Sequence, residues 1–308
     1  MLKKRTGIGV VLGSGAARGL SHIGVLKVLE ENNVPVDYIA GTSIGAIIGG
    51  LYAFGLSAFE IEKLVYDVQS KGWVKILKPT LSHSGFMSGK SVVEFFKSII
   101  GNVRIENLKI PFSCVATDFS SGEKVVFRKG KLLDAMRASM SIPIVFSPAV
   151  FENKIFLDGG LSSGLPIGTM KNMGAKFVIA VNVIQKPDYI AMHQNNLPKK
   201  NNSFLPLVKN WNSFVIKKIN TDFLQIKYNA KKKILPNLLD VTFQLTQILE
   251  YNLIKNDLLV DKPDILLEPK NRLNIGWLDF KYSDEIIENG VKTAIKSIQK
   301  IKKKLHIK

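Results

Sequence analysis

The chain has 308 residues, 46% of them hydrophobic, which suffices for one large α/β domain or two smaller ones with a sizeable core. A single cysteine, Cys114, excludes an internal disulfide and a cysteine-rich metal site. Lysine and arginine number 43 against 25 aspartate and glutamate, a net charge of +18, and such an excess favours adsorption to polyanions, either anionic membrane surfaces or nucleic acid.

The excess is spread along the chain: residues 1–185 hold 21 basic and 13 acidic side chains, leaving 22 and 12 for residues 186–308. The lysines are scattered and not interleaved with aromatics, which weighs against nucleic acid and is equally the pattern of a plain solvated surface. The apolar run 8–12 that follows Met1-Leu2-Lys3-Lys4-Arg5-Thr6 is too short for a signal segment or a membrane span. No later segment has eighteen uninterrupted apolar residues. The expectation is a cytoplasmic protein, peripheral to a membrane at most.

In chain order, strand and helix signals alternate, which points to an α/β fold with a mostly parallel central sheet flanked by helices. Residues 8–12 read as a buried strand ending in Gly13-Ser14-Gly15-Ala16-Ala17-Arg18-Gly19, and 20–31 carry Ile23, Leu26 and Leu29 at helical spacing. Residues 36–40 read as a second strand, followed by Gly41-Thr42-Ser43-Ile44-Gly45 and a buried helix over 46–54. A helix over 59–69 and a loop over 82–89 follow. Residues 110–117 and 124–128 read as strands around a turn at 118–122. Residues 155–157 lead into Asp158-Gly159-Gly160, and 176–183 form another strand. The 1–185 core gives way to a Lys-, Asn- and Pro-rich linker over 186–203. Residues 204–308 read as a part completing the same domain: amphipathic helix over 204–259 broken near Pro236, a strand at 264–268 and a basic terminal helix over 284–304.

Three turns carry candidate chemistry. Residues 41–45 fit the nucleophile elbow Gly-x-Ser-x-Gly between a strand and a helix. A serine pushed outward on so tight a turn needs neighbours without a Cβ, here Gly41 and Gly45, and the helix that follows adds a positive dipole and free amides. The 13–19 loop is a second glycine turn at a strand–helix junction, whose amides suit an oxyanion hole. It also begins like a dinucleotide fingerprint, but that needs an acid closing the second strand. Asp37 lies at the beginning of that strand instead. Asp158 ends a short apolar strand before two glycines, where a carboxylate could take the Ser43 proton or simply cap the turn.

Of four histidines, His22 falls in the first helix and reads as a packing residue; His83, His193 and His306 lack supporting context. A Ser-His-Asp esterase would need His193 or His306. A third reading is a catalytically idle binder of membrane or nucleic acid. Cys114, within the apolar run 112–116, reads as a core thiol.

Together the three turns resemble those of the patatin-like phospholipases, in particular the small bacterial stand-alone members. The oxyanion loop corresponds to Ser14-Gly15-Ala16-Ala17-Arg18-Gly19, the elbow to Gly41–Gly45 and the acid motif to Asp158-Gly159-Gly160. The flanks are also similar: Gly19-Leu20-Ser21-His22-Ile23-Gly24-Val25-Leu26, Ala138-Ser139-Met140-Ser141-Ile142-Pro143 with Phe146 and Pro148, residues 261–269, and Gly276-Trp277-Leu278-Asp279-Phe280.

The resemblance implies a three-layer patatin-like fold and a phospholipase or lysophospholipase with a Ser43–Asp158 dyad and an acyl-enzyme. It implies an oxyanion hole from the amides of Gly15, Ala16 and Arg18, supported by Gly13, Gly19, Gly41, Gly45, Gly159 and Gly160. No cofactor or metal is implied, and the partners are a phospholipid or lysophospholipid and an anionic membrane surface, held at helices over 211–218 or 284–304. Two departures stand out. Ser14 and Ala16 replace common loop glycines, and an alanine amide serves as a donor there if its φ is negative. Residues 161–166 lack an asparagine often found after the aspartate, which bears on the local turn.

Overall fold

The computed structural model describes residues 6–71, 87–188, 238–272, 275–276 and 279–307. His83, His193, Trp277, Leu278, Pro236, the helix expected over 211–218 and most of the 186–203 linker lie outside these residues.

The sheet holds β1 (Ile8–Leu12), β2 (Tyr38–Thr42), β3 (Phe112–Asp118), β4 (Lys124–Phe127), β5 (Ala149–Phe151), β6 (Lys154–Asp158), β7 (Phe177–Val181) and β8 (Ile265–Leu267). Its order is β5-β6-β3-β2-β1-β7-β8, with β4 also paired to β3. The pairs β1–β2, β2–β3, β1–β7 and β7–β8 are parallel. The pairs β3–β4, β3–β6 and β5–β6 are antiparallel.

The helices are α1 (Ser21–Glu31), α2 (Ile44–Phe54), α3 (Ala58–Lys71), α4 (Lys90–Ile100), α5 (Leu132–Ser139), α6 (Ile167–Asn172), α7 (Leu238–Val260) and α8 (Ser283–Leu305). Alternation along the strands explains why both sheet faces are covered. Val10, Leu12, Ile39, Cys114, Ile179 and Val181 join one core with α1, α2, α3 and α8. Their neighbours Val11, Ala40, Val178 and Ala180 join the other core with α6 and α7. The result is a three-layer α/β fold with a mostly parallel sheet, into which the C-terminal residues insert β8 and pack α8 on α1.

Most expected elements occur within a few residues of their expected bounds. β2 starts two residues later than the sequence suggests and includes Gly41 and Thr42, because its ladder with β1 and β3 continues to Leu12↔Gly41 and Thr42↔Val115. Asp37 precedes it and accepts hydrogen bonds from the amides of Gly7 and Ile8, tying down the start of β1. Helices α4, α5 and α6 and strand β5 have no counterpart among the expected elements.

Candidate active site

Ser43 follows β2 directly and stands at φ 57°, ψ −121°, a strained conformation of the kind that costs about 1–3 kcal/mol and is found at functional sites. A Cβ at Gly41 would run into the Gly45 carbonyl, and one at Gly45 into the Leu12 carbonyl. The glycines two before and two after the serine are therefore required by contact. The Ser43 amide donates to Ser139 Oγ at 2.8 Å, and that hydroxyl donates to the Val115 carbonyl at 2.6 Å. Ser139 thus pins the elbow to β3. Its motif was legible in the sequence, but this contact was not, since it depends on where α5 ends over the sheet.

Asp158 closes β6 and lies opposite Ala116, one position beyond the Val115 that pairs with Thr42. Its Oδ2 accepts the Ser43 hydroxyl at 2.6 Å, and its Oδ1 accepts the Gly160 amide at 2.8 Å. The carboxylate therefore caps its turn and engages the serine at once. Both side chains are 3% exposed. Burial, first of all, holds the Asp158 carboxyl well above the ordinary aspartate range, against the opposing hydrogen bonds from Ser43 and Gly160. The turn that lacks the asparagine is closed by serines: the amides of Ser162 and Ser163 donate to the Gly159 carbonyl, and Thr117 Oγ1 to the Asp158 carbonyl.

The 13–19 loop passes beside the serine. Gly13 and Ser14 are tied by their amides to the carbonyls of Val181 and Gly164, and Gly19 packs against Ile44. Gly15 and Ala16 line the cleft that also contains Ser43 and Asp158. Gly15 caps the start of the 3-10 turn Ala16–Leu20 and Ala16 is its first residue, where amides lack intrahelical acceptors. Two expectations for this loop are corrected. Ala16 has φ 49°, not the negative angle on which its donor role was premised. Such a left-handed conformation costs an alanine about 1–2 kcal/mol. The Arg18 amide donates to the Gly15 carbonyl at 3.1 Å and is occupied within the loop. The Arg18 side chain is buried and donates from Nε and Nη2 to the Ile275 carbonyl at 3.2 and 2.9 Å. It anchors the loop to the C-terminal part of the chain.

From Ser43 an apolar cavity of about 120 Å³ extends between α2, α3 and α4, reaching Ile48, Val65, Val68, Phe96 and Phe146. Among the described residues that line it, Ser43 alone is polar. No described histidine lines this cavity or the cleft beside Asp158. His22 is fully buried, with Nε2 2.8 Å from the Gly13 carbonyl. A carbonyl only accepts, so Nε2 carries the proton, and burial pushes the imidazole down to about 4. His306 caps the end of α8. Cys114 is buried and its thiol is pushed up by desolvation. Among the described residues no group of three His, Cys, Asp or Glu is arranged to hold a metal ion, and no helix is long and apolar enough to cross a membrane.

Sequence reasoning missed Glu250. On α7 it is buried, 5% exposed, in the cleft shared by Ser43 and Asp158. A glutamate in an amphipathic helix reads as solvent-facing, and only the crossing of α7 over the Gly159–Leu161 turn reveals otherwise.

Comparison with known proteins adds context to this geometry. The sequence profile described as Patatin-like phospholipase matches residues 10–171, which include the loop, the elbow and Asp158. "Lysophospholipase NTE1" of Scheffersomyces stipitis is 30% identical over 293 residues, 94% of this chain and 18% of that protein. "Patatin-like phospholipase domain-containing protein ZK370.4" of Caenorhabditis elegans is 39% identical over 181 residues, 57% of this chain and 13% of that protein. The chain thus spans less than a fifth of the length of these two relatives. Among solved structures, VipD from Legionella pneumophila shares the fold, with a TM-score of 0.51 at 11% identity, over 96% of this chain and 67% of that one.

Proposed function

The chain belongs to the patatin-like phospholipase family, and we propose that it is a serine lipid acyl hydrolase working through a Ser43–Asp158 dyad. The observation that carries this reading is the position of the Ser43 hydroxyl. It is hydrogen-bonded to a buried carboxylate and is the one polar group on an otherwise apolar cavity among the described lining residues.

Asp158 takes the Ser43 proton as the hydroxyl attacks a fatty-acyl ester carbonyl. The Gly15 amide, at the cleft, and the N-terminus of α2 offer positive charge to the oxygen of the attacked carbonyl. The proton passes from Asp158 to the leaving alcohol, an acyl-enzyme remains on Ser43, and water activated by Asp158 releases the fatty acid. An ordinary aspartate, with a pKa of about 3.9, is a poor base at neutral pH; burial of Asp158 brings it closer to the operating range. The cleft on its far side, about 10 Å³, is on the order of the room one water needs.

One apolar cavity suits one acyl chain, which together with the relative named Lysophospholipase NTE1 supports a single-chain lysophospholipid as the preferred substrate class. Adsorption to anionic lipid belongs to the same reading. The chain carries +18, and α7, whose Thr246 and Glu250 face the cleft, exposes Val241, Leu245 and Leu249 on its outer side.

Acyl release from lysophosphatidylcholine and from diacyl phosphatidylcholine, measured for wild type, Ser43→Ala, Asp158→Asn and His193→Ala, tests the reading. Turnover of the single-chain lipid that survives only in wild type and His193→Ala supports it. Loss with His193→Ala would mean a triad in place of the dyad.

A further inference from the structure

The dyad does not use Glu250, although this carboxyl is buried in its cleft. Its Oε1 occupies the space that a Cβ on Gly160 would need, and the Gly160 amide is the one that holds Asp158 Oδ1. Glu250 is thus seated against the turn that orients the base. It lies outside residues 10–171, on a helix that the elbow, loop and acid motifs do not include.

We propose that Glu250 is a positioning residue that keeps its proton throughout turnover, so that Asp158 is the one carboxylate ionised in the cleft. The inference rests on the Ser43–Asp158 reading above.

The charge balance argues for it. Among the described residues the charged groups that act on Glu250 are Asp158, from the end of β6, and Arg18, from the 13–19 loop; Asp279 also acts on Arg18. With Glu250 neutral, Asp158 carries the one negative charge among the described residues that line the resting cleft. When Asp158 takes the serine proton, the oxyanion replaces its charge and the balance is kept. With Glu250 ionised, a second buried negative charge would oppose both the ionisation of Asp158 and the oxyanion. Burial first, and the charge of Asp158 second, hold the Glu250 carboxyl well above the ordinary range, against opposing contributions from Ser14 and Arg18. During acylation the proton that moves is that of Ser43; the Glu250 proton stays in place.

The test is the pH dependence of kcat/KM for a short-chain p-nitrophenyl ester in wild type, Glu250→Gln, Glu250→Met, Glu250→Asp, Ser43→Ala and Asp158→Asn. Wild type is expected to gain activity as Asp158 ionises and lose it again on the alkaline side, about tenfold per pH unit. Glu250→Gln, a near-isosteric neutral replacement, removes the alkaline fall and leaves the acid limb in place. Glu250→Met does the same, so either variant suffices if the other does not fold, and Glu250→Asp restores the alkaline fall. A residue that merely supports the fold would lower activity at every pH and leave the limbs in place. A wild-type profile without an alkaline fall, or a Glu250→Gln profile of wild-type shape, overturns the inference. Activity retained by Asp158→Asn would instead overturn the dyad, which separates the two failures.

Discussion

Ser43 and Asp158 are 115 positions apart, yet their side chains meet at 2.6 Å, because both end strands that abut along one edge of β3. Cys114 and Val115 pair with β2 on one side and β4 on the other. Ala116 and Thr117 pair with β4 and β6. β2 and β6 therefore share the edge opposite β4, one pairing up to Val115 and the other from Ala116 onward. The register of β3 delivers the serine and the acid to one point.

Ser139 holds this junction from beneath. Ser139→Ala leaves the Ser43 amide and the Val115 carbonyl without their buried partner, a loss of about 1–3 kcal/mol. The expected outcome is a lower urea midpoint together with a reduced kcat, because the elbow relaxes from its strained angle. An unchanged kcat would show that Ser139 contributes stability alone.

The raised carboxyls also bear on folding. Over the interval from about pH 4, where unfolded carboxyls ionise, up to their folded values, Asp158 and Glu250 bind protons in the fold that the unfolded chain has released. Stability from these groups accordingly falls as pH rises through that interval. Asp158→Asn and Glu250→Gln each should be more stable than wild type at pH 9 and closer to it at pH 5, by thermal unfolding. Equal differences at both pH values would contradict the burial of charged forms.

His22 acts on the acid side. Its imidazole is pushed down to about 4, so the fold holds it neutral while the unfolded chain takes a proton below about 6.5. Stability is lost as pH falls from about 6.5 towards 4, by roughly 3 kcal/mol across the window. His22→Gln keeps a donor for the Gly13 carbonyl and should remove this part of the slope in urea titrations at several pH values.

The cavity beyond Ser43 sets a length limit. Val68→Phe, on α3 at its wall, fills part of it and should lower turnover of long-chain esters by about tenfold or more while sparing short ones, with an overpacking penalty of about 1–3 kcal/mol. A chain-length profile identical to wild type would place the acyl chain elsewhere.

The residues at local turns were the legible part of this molecule. Gly41 signals the elbow because the carbonyl it avoids, that of Gly45, lies four residues on, although Gly45 itself avoids the distant Leu12 carbonyl, and short apolar runs alternating with helical spacing signal the sheet. Asp158 was readable only beside its two glycines. What the sequence hid depends on elements crossing from a distance: the capture of the elbow by Ser139, the Arg18 guanidinium on the Ile275 carbonyl, and the face of α7 that buries Glu250. The positive φ of Ala16 was also hidden, since alanine gives no sign of the left-handed region.

The most direct measurement is active-site labelling with a fluorophosphonate, followed by intact mass and peptide mapping of wild type, Ser43→Ala and Asp158→Asn, each checked for folding. One adduct per chain on Ser43, absent from Ser43→Ala and slowed by about 10²–10⁴-fold in Asp158→Asn, is the predicted result. Labelling of another residue, or an Asp158→Asn rate equal to wild type, would contradict the dyad.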